Sequence, residues 1–98
     1  MKASWNGHVI AESNDTILIE GNHYFPKSSV NIELLTLSDY HTTCFWKGEA
    51  NYYSVVIDGK TNENAAWYYP KPMDGSIVKV TKDFTDYVAF WNGVEVTT

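Results

Sequence analysis

The stretch Thr42-Thr43-Cys44-Phe45-Trp46-Lys47-Gly48 puts two hydroxyls, a thiol and a cation beside aromatic side chains. Lys47 is the first candidate for chemistry. Its ammonium is a compact point charge suited to a phosphate or carboxylate, and Gly48 has no Cβ to keep a ligand off the backbone. The competing reading is an exposed lysine whose stem lies along Trp46. Tyr52 or Thr43 is expected to supply a directional hydrogen bond, and Trp67 a face for a planar or sugar-containing body. Cys44 completes the expected ligand-binding set. It is a nucleophile only as a thiolate beside a base. His41 is nearest in sequence, but in an extended chain a separation of three puts the two on opposite faces. Cys44 is therefore assigned to packing.

Glu12 and Glu20 flank a predicted hairpin turning at Asn14-Asp15. In that register Glu12 faces Ile17 and shares a face with Ile10 and Ile19, while Glu20 lies opposite Val9 on the other face. A carboxylate on an apolar face is either paired or a site residue of raised pKa. Glu12 is thus the expected acid–base group or the partner of Lys47. His8, His23 and His41 lack metal-ligand spacing, so no metal site is expected from them.

The elements that must position these residues read as short strands. Asn6-Gly7 separates Ala3–Trp5 from His8–Glu12, and Asn92-Gly93 separates Tyr87–Trp91 from Val94–Val96; both suit two-residue hairpin turns. Asn51 to Asp58 is a strong strand ending at Asp58-Gly59, and Ala65 to Tyr69 is an aromatic strand stopped by Pro70. Ser29 to Leu37 has helical spacing with Ser29 as N-cap. Asp74 to Phe84 is ambiguous, its Ile77, Val78 and Val80 favouring strand. The expectation is one mainly-β domain over residues 1–98, irregular or barrel-like, of short antiparallel strands with little helix.

Composition narrows the function classes. The 98 residues carry seven lysines, no arginine and twelve carboxylates, a net charge of −5. Nucleic-acid binding rests on a basic surface that releases counterions, so no nucleic-acid partner is expected; a small anionic ligand is. No apolar run reaches the roughly 20 residues a bilayer helix needs, and the N-terminus lacks a signal-peptide pattern. With Cys44 as the sole cysteine, a reducing, cytoplasmic setting is expected. The clustered aromatics also leave open a noncatalytic interaction or homo-oligomerising role.

Several strings resemble one family across nearly the whole chain: Trp5-Asn6-Gly7 with Ile10–Ser13, Glu20–Pro26, Thr42–Ala50 with Tyr52-Tyr53, Ala65–Pro70 with Pro72, and Val88–Phe90. Together they look like the domain-of-unknown-function family 427, to which a nucleotidyltransferase-like label is attached. The resemblance implies a compact all-β fold similar to the β-tent of zinc-binding relatives, and no established reaction. Those relatives use paired Cys-x-x-Cys knuckles; Cys44 alone cannot build one. Nucleotidyl transfer generally needs clustered carboxylates holding two divalent metals. There is no Asp-x-Asp pair or phosphate-binding glycine loop here, so a divalent metal is implied only if that label holds. No other cofactor is evident.

Overall fold

Paired positive-φ residues place most of the tight turns. Asn6 and Gly7 have φ of 50° and 79°, which matches a primed two-residue turn, and Trp5 pairs with His8 across it. The computed structural model describes residues 1–98. The turn joins β1 (Lys2–Trp5) to β2 (His8–Glu12), and β9 (Glu95–Thr97) covers the other edge of β1. Asp58 and Gly59, with φ of 52° and 75°, likewise join β6 (Gly48–Ile57) to β7 (Lys60–Tyr68). Flanked by β5 (Leu35–Cys44) and β8 (Val88–Phe90), these form an antiparallel sheet in the order β5-β6-β7-β8.

The hairpin expected at Asn14-Asp15 does not form. β3 (Ile17–Ile19) pairs instead with β4 (Asn22–Tyr24) across Glu20-Gly21, where φ is 52° and 82°. The local chemistry explains the choice. Glycine at the second turn position accepts left-handed backbone without strain. Ser13 Oγ meanwhile accepts a 2.9 Å hydrogen bond from the Asp15 amide, tying residues 13–15 into a local bend. The consequence for the two glutamates is large. Glu12 faces Lys2 on β1, while Glu20 rides on the tip of the β3–β4 hairpin. At the C-terminus the Asn92-Gly93 turn is present, with Val94 N donating to Trp91 O at 3.2 Å. It closes no hairpin, because β8 pairs with β7 and β9 with β1. The turn passes the chain from one sheet to the other, and the three sheets stay open, so the barrel-like arrangement does not form.

The helix expected over Ser29–Leu37 is replaced by two 3-10 turns, Lys27–Ser29 and Ile32–Leu34, before β5 begins. Val30, β-branched, bridges Ala11 in an extended conformation and interrupts any longer helix. Asn31 takes the capping role given to Ser29, its side chain accepting from Glu33 N at 3.3 Å. The ambiguous segment becomes a short helix, α1 (Asp74–Val80), ending at Thr81 with φ 68°. Ile77 and Val80, three residues apart, pack on the core from one helical face. That burial outweighs their strand propensity.

Two apolar clusters result. One gathers Ile10, Phe25, Tyr53, Val55 and Phe90. The other gathers Ile17, Ile19, Tyr24, Tyr52, Tyr69 and Phe84, with Trp46 and Trp67 partly buried against it. The Phe25–Val88 bridge, with amide bonds of 2.7 and 2.9 Å in both directions, joins the hairpin to the four-stranded sheet. That junction fixes Glu20 relative to the second cluster.

Candidate functional site

The connection from β5 to β6 is Phe45-Trp46-Lys47, closed by the pairing of Cys44 with Gly48. The Lys47 carbonyl accepts a 3.0 Å bond from the Met73 amide, which anchors the turn to the segment leading into α1. Gly48 has φ +114°, and a Cβ there would sit 3.2 Å from the Lys71 carbonyl oxygen. Its missing side chain therefore admits residues 71–73 rather than a ligand, correcting the role expected from sequence.

Lys47 is 7% exposed. Its ammonium pairs with the Glu20 carboxylate and lies 5.3 Å from the Trp46 ring centroid and 5.4 Å from that of Tyr69. Burial pulls the ammonium toward neutrality, but the Glu20 hydrogen bond and the fields of Tyr24 and Tyr69 outweigh it and raise its pKa. Lys47 is consequently charged throughout the physiological range. Burial in turn pushes the Tyr69 phenol up to about 12, assisted by Tyr24, and raises that of Tyr24. The pair is asymmetric: the Lys47 side chain is 9% exposed, that of Glu20 55%.

Beside this cation opens a shallow cleft of about 260 Å³ lined by Lys47, Tyr52, Trp67, Tyr69 and Trp91. Its walls are held by hydrogen bonds. Trp67 Nε1 donates to the Tyr24 hydroxyl at 3.1 Å, and Trp91 Nε1 to the Asn64 carbonyl at 2.6 Å. The rings of Trp67 and Trp91 meet edge to face, 6.2 Å apart at 89°. Tyr52 is directly opposite Trp67 across β6 and β7; its hydroxyl shares a 2.9 Å hydrogen bond with Thr42 Oγ1.

Three of the residues singled out from sequence, Lys47, Tyr52 and Trp67, thus meet at one cleft. Cys44 is half-buried against the same aromatic cluster. Thr43 is exposed on the other face of β5, opposite Glu49, and its neighbour Thr42 carries the inward hydroxyl. Glu12 is no partner of Lys47. It lies 3.8 Å from Lys2, with both side chains largely exposed, because β2 pairs with β1 and not with β3. His41 turns away from Cys44 and lies 3.9 Å from Glu49. Glu20, Tyr24, Tyr69 and Trp91 were not expected at the site. For the first, the available signal is Gly21, which takes positive φ at the second turn position, and Tyr69 follows Trp67 at the same-face spacing of a strand.

No group of three or more His, Cys, Asp or Glu side chains converges anywhere in the chain. A two-metal transferase holds its metals with clustered carboxylates, and no cluster of three or more acidic side chains forms here. No helix is long and apolar enough to cross a membrane. No curated protein matches the chain. A family model, NTP_transf_9, described as Domain of unknown function (DUF427), matches residues 1–98 in full, and the chain belongs to that family.

Proposed function

We propose that this domain binds a small planar ligand bearing an anionic group in the cleft beside Lys47. One observation carries the proposal: a buried lysine, its ammonium paired with Glu20, borders an open cleft whose other walls are aromatic. Binding pockets combine apolar walls with few, well-placed polar groups, and the cleft follows that pattern. Lys47 supplies the charge, Trp67 and Trp91 the contact surface, and the Tyr52 hydroxyl a hydrogen bond. A volume of about 260 Å³ is below the roughly 300–1,000 Å³ of drug-sized sites, so the ligand is small.

The charged state of Lys47 separates binding from catalysis. A Schiff-base or general-base lysine must lose its proton near neutral pH, and here the surroundings act in the opposite direction. Lys47 serves as a fixed cation. The nucleotidyltransferase label attached to the family finds no carboxylate cluster to support it, and a single lining cation is a poor match for a triphosphate.

A thermal-shift screen of nucleotides, sugars and organic acids tests the proposal, since a bound ligand raises the melting temperature by mass action. Lys47→Met and Trp67→Leu should each lose at least about tenfold in affinity for a compound found this way, about 1.4 kcal/mol. Normal binding by both folded variants places the site elsewhere.

An interaction role draws on a different feature, the unpaired outer edge of β5 with Leu37 69% exposed. Such edges template pairing with another chain. The register break between Leu37 and His41 interrupts this one, as bulges do on protected edges. Homo-oligomerisation through β5 is therefore the weaker reading, and a monomeric mass in light scattering across a concentration series is the expected result.

A further inference from the structure

We propose that the Glu20 carboxylate occupies the ligand's anion position on Lys47, and that a monocarboxylate binds by displacing it. The inference rests on the cleft being a ligand site and names the ligand class and the gating contact. Three observations carry it. The pair is unequal, because Lys47 is enclosed whereas Glu20 stands half in water at the tip of the β3–β4 hairpin. An exposed carboxylate returns to solvent with little desolvation change, whereas a buried ammonium cannot be left uncompensated. Whatever anion replaces Glu20 therefore inherits a cation that requires one.

The second observation is charge count. Lys47 is the only charged residue lining the cleft. One cation balances one negative charge, so a carboxylate is matched. A phosphate monoester carries about −1.5 to −2 at neutral pH and would bring excess negative charge into a cleft lined by one cation, since Lys79, over the Trp46 ring at 4.4 Å, lies outside that lining. The third is placement. Lys47 forms one wall of the same cleft as Trp67 and Trp91, so an anion on its ammonium leaves the attached body against those rings. Glu20, arriving from the hairpin side, satisfies the cation without filling the cleft. The arrangement acts as a built-in competitor: affinity for the incoming acid is reduced by the fraction of molecules in which Glu20 holds the cation.

Naphthoate, its neutral amide and naphthyl phosphate provide the test, titrated against the wild-type domain and Glu20→Gln by NMR. Naphthoate is expected to bind wild type more tightly than either analogue, and Glu20→Gln is expected to bind it about tenfold more tightly still, the competitor having been removed. In wild type, the side-chain carboxyl carbon signal of Glu20 should move toward that of a free glutamate as naphthoate saturates the site. That arm needs no variant, and it decides the matter should Glu20→Gln fail to fold. Naphthoate binding at the cleft with an unmoved Glu20 signal, or with equal or weaker affinity in Glu20→Gln, overturns displacement while leaving the cleft as a ligand site. Preference for the phosphate overturns the monocarboxylate assignment. Absence of binding by all three probes, to both proteins, overturns the site and the displacement together.

Discussion

Removing the two members of the Lys47–Glu20 pair one at a time should have unequal effects. Glu20→Ala leaves an ammonium, 9% exposed, without its carboxylate. Stranding one member of a fully buried pair costs about 3–5 kcal/mol, whereas a fully exposed pair contributes about 0–1 kcal/mol. This pair has one partner of each kind, and the Trp46 and Tyr69 rings continue to face the ammonium. A loss of about 2 kcal/mol is expected. Lys47→Met has the opposite character. A flexible apolar chain fills the same space against the same rings, and the Glu20 carboxylate, 55% exposed, is already largely hydrated. Its cost should be about 0.5 kcal/mol or less. Urea unfolding at neutral pH reads both numbers. For a chain of 98 residues, Glu20→Ala should lower Tm by about 10 °C, at about 4–8 °C per kcal/mol. A larger loss in Lys47→Met than in Glu20→Ala would refute the asymmetry and the electrostatic reasoning behind it.

Two further outcomes follow from the geometry. Gly48→Ala should destabilise by about 1–3 kcal/mol, since φ there is +114° and the new Cβ meets the Lys71 carbonyl; an unchanged urea midpoint would show that residues 71–73 yield freely. At alkaline pH, Tyr53 and Tyr69, pushed up to about 12 chiefly by burial, and Tyr24, raised by burial, keep their protons longer folded than unfolded. Their contribution is complete below the unfolded value of about 10 and is lost as pH rises toward about 12, because the unfolded chain deprotonates first. Lys47, raised by its partners over the opposing effect of burial, acts with the same sign. Urea midpoints should therefore fall across that window, alongside late-ionising tyrosines in an absorbance titration; a flat midpoint contradicts it.

The fold was legible where a short-range signal has one physical outcome. Asn6-Gly7 and Asp58-Gly59 demanded positive φ and formed two-residue turns, and the aromatic and β-branched run Tyr52–Ile57 became part of the central strand β6. It was illegible where two local solutions compete and a distant contact decides. Asn14-Asp15 and Glu20-Gly21 both carry turn residues, and only the second has glycine where the backbone is left-handed. Val30 was pinned by Ala11, and Ile77 and Val80 were drawn into a helix by a core assembled from distant residues. The same division applies to the site. Tyr52 and Trp67 pair across adjacent strands, and Lys47 sits in the turn that opens β6, so local pairing alone unites them. Glu20 and Tyr24 arrive on a separate two-stranded sheet, and no spacing in the sequence announces that approach.

The central claim, that the cleft beside Lys47 receives a ligand, is tested most directly by the four tryptophan indole N–H signals in NMR spectra. Trp67 and Trp91 line the cleft, each with its N–H engaged by a defined acceptor. Trp5 borders a separate depression beside the Asn6-Gly7 turn and serves as the internal control. Titration with a small planar acid should move the Trp67 and Trp91 signals saturably and leave Trp5 in place. Movement of Trp5 alone, with Trp67 and Trp91 unchanged at saturation, would contradict the account.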